Sequence, residues 1–377
     1  MNLSKFFYFI GVIFIPFYIF PSGGIQLSDL FFLISLFLFL INGKSSLLFN
    51  ELKYSSKLKY LRIFIFWTFI VNLTVFVYWT QINTLLSSFY YVYNYLVMIL
   101  TLAFFRSSGN SFLTKIYYSF FISIILVFLV SILDLDYLFG EKYFYRRSVT
   151  FNNPNQLGYW ALMAMTVLFI LKKISSLNKV KYLNVIFVLG ILLTLYLSII
   201  SLSKASTISI IILIILNSIN NFKFILFLSL ASIASFSYIE LKEDNFISRI
   251  DKRLNDVGNA NDDNLEGRNY DRIWKYPEYL IIGAGEGTIE QRFDKDNEIH
   301  STIGTIIFSY GFFGTLLFLL FVFSYIRDNK YSFLIYLLPL FLYSITHMGL
   351  RSKTFWIILI LVIINNRIDK VYSNEKN

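Results

Sequence analysis

The chain has no cysteine, only two histidines, five prolines and few charges: 15% of its 377 residues are Asp, Glu, Lys or Arg, against about 25% in an ordinary soluble domain. Without cysteine there is no disulfide, no thiol nucleophile and no Cys-ligated metal. With histidine only at His300 and His347, a His-rich catalytic metal site is almost excluded. The shortage of charge excludes more, because a soluble chain of this length needs far more polar surface to cover its core. What is present is apolar: 56% of residues are hydrophobic and 20% aromatic, with 42 Phe and 27 Tyr. A soluble globular enzyme, a disordered chain and a coiled coil are ruled out, which leaves an integral membrane protein.

A membrane helix needs about 20 mostly apolar residues. Twelve candidate spans are predicted, near 5–20, 25–42, 61–78, 84–105, 113–133, 155–172, 182–200, 205–219, 222–240, 301–326, 332–347 and 353–366. The expected fold is an all-α integral membrane protein of about twelve transmembrane helices. Three regions follow: residues 1–240 with spans one to nine, a large outer loop over 241–300, and 301–377 with the last three spans and a tail. The first span lacks a small-residue cleavage site and carries only Lys5 before its apolar run, so it does not read as a signal peptide.

Lys and Arg set the orientation. With this span order, one side carries 18 positive residues, including Lys5, Lys53, Arg62, Lys172, Arg327 and Arg367. The short loops opposite carry six: Lys142, Arg146, Arg147, Lys204, Arg351 and Lys353. Both termini are therefore predicted to be cytoplasmic. The net charge of +10, which in a soluble protein would suggest nucleic acid, is accounted for by this asymmetry, and no nucleic-acid partner is expected. The loop over 241–300 holds nine Lys/Arg and 14 Asp/Glu. A loop of about 60 residues is uncommon unless functional or disordered. Its part near Asn255 to Asn264 reads as flexible, and the stretch RNYDRIWKYPEYLIIGAGEG reads as a short amphipathic helix with a Gly-rich turn on the outer surface.

The conspicuous polar groups are outer ones: Arg146, Arg147, Lys204, Arg268, Arg272, His300, His347 and Arg351. Guanidinium groups suit phosphate oxygens through planar, two-pronged bonding, and a phosphate at a membrane surface most simply belongs to a lipid-linked substrate. Each has a plainer reading. Arg146 and Arg147 could be interface anchors that reach to headgroups. Asn153 and Pro154 could simply start a helix, or the run from Ser148 to Gly158, with Asn152 and Asn155, could place amides beside Arg. Lys204 could be a turn residue. GAGEG, Gly283 to Gly287, follows no strand and reads as a compact turn before a phosphate loop. His300 could be a helix-start residue; an imidazole there could also take a proton from a sugar hydroxyl. His347 with Arg351 forms a second pair with a structural or substrate-positioning role.

Four stretches carry a resemblance: RRSVTFNNPNQLGYWALM from Arg146, SLSKASTISIIIL from Ser201, GRNYDRIWKYPEYLIIGAGEG from Gly267, and EIHSTIGTIIFSYGFFG from Glu298. In order, spacing and topology over about residues 140–360 the chain resembles the O-antigen polymerase/ligase family of bacterial inner-membrane enzymes. Its N-terminal spans resemble that family only in hydrophobicity. The resemblance implies a GT-C-like, metal-independent glycosyltransferase without cofactor, its active site periplasmic. The donor would be an undecaprenyl-pyrophosphate-linked oligosaccharide, and a chain-length regulator and a flippase would be partners. Carried over, the catalytic base falls on His300 and pyrophosphate binding on Arg147 or Arg146, Arg268 and Arg272. Lys204 replaces a frequent Arg, keeping charge but losing two-pronged geometry. Asn152, Asn155, His347 and Arg351 remain substrate-positioning candidates. A ligase transferring finished glycan to lipid A core shares these motifs, and a polysaccharide flippase is the rival of another class.

Overall fold

The computed structural model describes residues 2–21, 23–44, 46–48, 50, 58–80, 82–139, 146–176, 182–242, 246–255, 265–287, 293 and 298–374. Residues 256–264 of the stretch expected to be flexible lie outside these, as do Lys53, Lys142, Lys179 and Lys181. Among the described residues the chain is all helix, with no strand. The apolar segments expected from the sequence coincide with α1 (Leu3–Phe14), α2 (Leu27–Phe39), α3 (Lys59–Trp79), α4 (Ile82–Ser108), α5 (Asn110–Ile132), α6 (Pro154–Ser176), α7 (Leu183–Ser201), α8 (Lys204–Ser218) and α9 (Phe222–Lys242). Two short helices of the large loop follow, α10 (Phe246–Asn255) and α11 (Arg272–Lys275), then α12 (Thr302–Ser332), α13 (Leu338–Thr346) and α14 (Lys353–Asn374).

Length separates these helices. Seven helical runs among the described residues are long and apolar enough to cross a membrane: α3, α4, α5, α6, α7, α9 and the run Thr302–Thr346. Leu3–Phe14, Leu27–Gly43, Lys204–Ser218 and Lys353–Asn366 are shorter apolar helices. The chain is thus a helical protein built to sit in a membrane. The first segment stops at Phe14 rather than near residue 20 because Pro16 follows: proline has no N–H to donate to the carbonyl four residues back, and Val12 O is closed instead by Ile15 N (3.4 Å). At 12 residues, α1 is about 18 Å long. The tenth and eleventh segments, expected as separate spans, form one run of 45 residues. Two non-helical residues, Gly311 and Asn329, break it. A π-helical turn at Phe333–Leu337 precedes Pro339, whose ring cannot continue a regular hydrogen-bond ladder.

Polar caps and aromatic packing fix neighbouring helices. Ser4 Oγ donates to Ser35 O (2.7 Å) and Ser35 Oγ to Ser4 O (2.8 Å), tying the start of α1 to the end of α2. Tyr8 packs against Phe32, Phe104 and Phe112 at 5.2–5.5 Å between centroids, and each such pair contributes about 0.5–1.5 kcal/mol beyond area burial. Much of the aromatic content is therefore internal packing. Helices α6 and α14 form the centre: Leu157, Trp160 to Leu171 and Phe355 to Ile364 are nearly all buried. Helix α9 is peripheral and exposes Leu226, Phe227, Leu230 and Ile233.

One end of the bundle gathers the loops that carry the candidate groups. Arg147 N donates to Ile200 O (3.2 Å), Tyr18 N to Thr150 O (2.9 Å) and Thr302 N to His347 O (3.2 Å). Tyr343 Oη donates to Asn155 O (3.0 Å), and Lys353 Nζ to Asp29 Oδ1 (2.7 Å). Lys5 bonds Ser108 at the other ends of α1 and α4.

Candidate functional site

The site begins with a broken helix. Gly311 has φ 62° and ψ −165°, a left-handed turn that glycine adopts without a Cβ penalty. The break frees three carbonyls of the first half of α12. Ala284 N donates to Phe308 O and Gly285 N to Ser309 O, each at 2.9 Å; Trp67 Nε1 donates to Tyr310 O at 2.9 Å. The next amide, Glu286 N, donates to Asn72 Oδ1 (2.9 Å). GAGEG is thus a compact turn, as the plainer reading expected. Three successive N–H groups, which a phosphate loop would offer to an anion, are taken by α12 and Asn72. The fit is close: a Cβ on Gly283 would stand 2.4 Å from Ser309 O, and one on Gly287 2.7 Å from Asn83 O.

This turn carries Glu286 inward. The residue is 4% exposed; Tyr91 Oη donates to its Oε1 at 2.8 Å. Asn72 in turn donates to Ser88 Oγ (2.8 Å). Arg351 Nη2 lies 3.4 Å from Glu286 Oε2, while Arg351 Nη1 donates to Glu298 Oε1 at 2.8 Å and Nη2 pairs with Glu298 Oε2 at 2.5 Å. One guanidinium therefore bridges a buried and a half-exposed carboxylate. Burial pushes the Glu286 carboxyl above its ordinary value, with Arg351 pulling the other way. Burial also works against the Glu298 carboxylate, but Arg351, His300 and Arg272 outweigh it and hold that carboxyl below its ordinary value. Arg351 is raised well above the ordinary guanidinium value, because the two carboxylates outweigh its burial.

His300 stands beside this bridge. It is exposed, directly before Ser301, whose Oγ caps α12 by accepting Gly304 N (3.2 Å). Its backbone N–H donates to Arg268 O (3.2 Å). The Arg268 guanidinium donates to Thr346 O, next to His347. The His347 ring stacks on Tyr343 (4.6 Å, 20°), and Tyr343 stacks on Tyr159 (4.1 Å, 8°). Thr346 Oγ1 lies 2.9 Å from His347 Nδ1. Arg272 is 3% exposed, its guanidinium over the Phe293 ring at 5.3 Å. Burial lowers it from the ordinary value, opposed by Asp271.

The α5–α6 loop splits its two arginines. Arg146 reaches Asn155, and its Nε donates to Ser201 O (2.9 Å); the Asn155 carbonyl in turn accepts Tyr343 Oη (3.0 Å). Arg147 instead grips Asp136 with two arms, Nε at 2.9 Å and Nη2 at 2.7 Å, and pairs with Asp134 at 3.0 Å. Asn152 Nδ2 donates to Phe20 O (3.0 Å). Lys204 opens α8 after the turn at Ser203, where α6 approaches so closely that a Cβ on Gly158 would stand 2.4 Å from Ser206 Oγ. His300, Arg268, Arg272, His347 and Arg351 thus share one framework with Arg146 and Asn155, whereas Arg147 and Asn152 serve neighbouring contacts.

Sequence reasoning missed Glu286, Glu298 and the Tyr159–Tyr343–His347 stack. Glu298 and Glu286 lie in a loop with 14 acids, so nothing in composition marks them. The available signal was Glu286 inside a run of three glycines: a turn that tight can carry its one charged residue into the protein. No protein-family model matches this chain, and no curated protein matches it either.

Proposed function

We propose that the chain is a membrane glycosyltransferase that polymerises lipid-linked oligosaccharides on the outer face of a bacterial inner membrane, as an O-antigen polymerase does. The observation that supports this best is the gathering of His300, Arg268, Arg272, Arg351 and Arg146 around one end of the helical bundle, joined through Thr346, His347, Tyr343 and Asn155. Cations beside an exposed imidazole at a bilayer edge suit a sugar held on a lipid pyrophosphate. In this reading twelve helical segments cross or enter the membrane in a GT-C-like arrangement, both termini are cytoplasmic, and undecaprenyl-pyrophosphate-linked glycans are donor and acceptor.

The chemistry is a single displacement. A hydroxyl oxygen of the acceptor sugar forms a bond to the donor's anomeric carbon. The bond from that carbon to the pyrophosphate oxygen breaks, and its electron pair leaves with the pyrophosphate. His300 takes the hydroxyl proton. Arg268 and Arg146, flanking Tyr343, stabilise the charge on the leaving group, an electrostatic contribution of the oxyanion-hole kind. Arg147 is assigned to holding the loop, because two carboxylates already engage its guanidinium.

Deleting the gene and resolving surface lipopolysaccharide on a gel tests this reading. The polymerase reading expects core bearing a single repeat unit. Bare core with accumulated lipid-linked glycan would favour the ligase, and lipid-linked units left facing the cytoplasm would favour a flippase.

A further inference from the structure

Residues Glu298 to Ser301 are held along their backbone. Asn269 Nδ2 donates to Glu298 O (3.0 Å), Thr305 Oγ1 to Ile299 O (3.1 Å), and His300 N to Arg268 O (3.2 Å). Ser301 N donates to Ile299 O (2.8 Å), a three-residue turn with His300 at its apex. Ile299 points inward: it is 4% exposed, in an apolar cluster with Ala284, Phe293 and Phe308. Its neighbours point outward, Glu298 with 41% of its side chain accessible and His300 exposed. The Glu298 carboxylate is gripped through both oxygens by Arg351, which is anchored on buried Glu286 and receives Asn94 Nδ2 at its own carbonyl (3.3 Å).

We propose that Glu298 is the positioning residue of His300: its carboxylate, fixed by Arg351, faces the imidazole across the inward-turned Ile299 and sets its orientation and charge. The catalytic meaning of this pairing rests on the polymerase reading; the pairing itself does not. A carboxylate beside an imidazole favours the protonated ring and selects which nitrogen carries the proton. The groups around His300 act in both directions. Arg268, whose carbonyl holds the His300 N–H, Arg272 from α11 and Arg351 from the α13–α14 loop favour the neutral ring, as does His347 at the end of α13 when protonated. Glu298 opposes them from two residues away, on the same side of the turn that Ser301 N closes on Ile299 O. Splitting Arg351 between Glu286 and Glu298 leaves the outer carboxylate only partly neutralised, so it can act on the ring.

The chain has two histidines, so the full-length protein in detergent micelles, labelled at histidine with ¹³C, gives two imidazole titrations, assigned with His347→Gln. Glu298→Gln is expected to lower the His300 midpoint by at least about half a pH unit while leaving His347 in place, and Glu298→Asp to restore part of the shift. A brace with no bearing on His300 would leave the midpoint unmoved, and that result overturns the proposal. Elongation is then followed against pH, using lipid-linked units extracted from cells that lack the protein. The acid limb of the rate should move down in Glu298→Gln by the same amount as the midpoint. A moved midpoint with an unmoved limb would leave the pairing intact and sink His300 as the base.

Discussion

At the scale of single residues the decisive contact is Arg351 between Glu286 and Glu298. Breaking a buried ion pair on one side costs about 3–5 kcal/mol, because the other charge is left without compensation. Arg351→Met is therefore expected to lower the thermal midpoint in detergent sharply. Glu286→Gln should cost much less, since it removes the buried charge and keeps an acceptor for Tyr91. Equal losses in the two variants would contradict this account. Glu298 adds a pH dependence. Its folded value lies below the ordinary 4.5, so its contribution to stability is complete above the unfolded value and is lost as pH falls through the folded one. The difference in thermal midpoint between wild type and Glu298→Gln should be full at about pH 6 and shrink toward about pH 4. The arginine pair separates in the same way. Arg146→Ala should reduce elongation with little loss of stability, and Arg147→Ala should loosen the loop that Asp134 and Asp136 hold. The sequence presented these two residues as equivalent neighbours; only the carboxylates that fold back on Arg147, ten or so positions upstream, distinguish them.

At the scale of elements, the apolar runs were legible because burying backbone in lipid demands helix wherever about 20 apolar residues stand together. Breaks inside those runs were not. SYGFFG reads as uninterrupted hydrophobic sequence, yet Gly311 turns left-handed there and its freed carbonyls are closed by a loop some 25 residues upstream. That pairing is long-range and leaves no periodic trace. A Cβ at Gly311 would stand 2.5 Å from Ile281 O, at a φ that side chains rarely adopt. Gly311→Ala is therefore expected to cost at least about 1–3 kcal/mol and to withdraw the GAGEG turn, and with it Glu286, from Arg351. Limited proteolysis between α11 and α12 should then become faster; an unchanged cleavage rate would argue against the coupling. Helix α1 shows the opposite case: Pro16 marked a stop that a count of apolar residues alone overran.

At the scale of the whole molecule, the sparse charges are distributed by role. Most Lys and Arg lie on loops predicted to face the cytoplasm, and the acids concentrate in the 241–300 loop. The described part of that loop folds onto α3, α4 and α13 through Asn72, Tyr91, Ile345 and Thr346, and onto α12 through the carbonyls of Phe308 and Ser309. The site's cations and imidazoles thus come from positions 146 to 351, braced by Asn72, Tyr91 and Asn94, with α6 and α14 at the buried centre of the bundle. In the polymerase reading such a layout would put the reaction at one end of the bundle, where a lipid-linked headgroup would lie, with peripheral α9 facing the surrounding bilayer. The proposed function requires that this end elongate lipid-linked glycan with His300 as the base. Its most direct test is the purified protein in liposomes, given lipid-linked repeat units extracted from cells that lack it. A ladder of longer lipid-linked glycans is expected, with release of undecaprenyl pyrophosphate, slowed about 100-fold or more in His300→Ala. No ladder from the wild-type protein, or an undiminished one from His300→Ala, would contradict it.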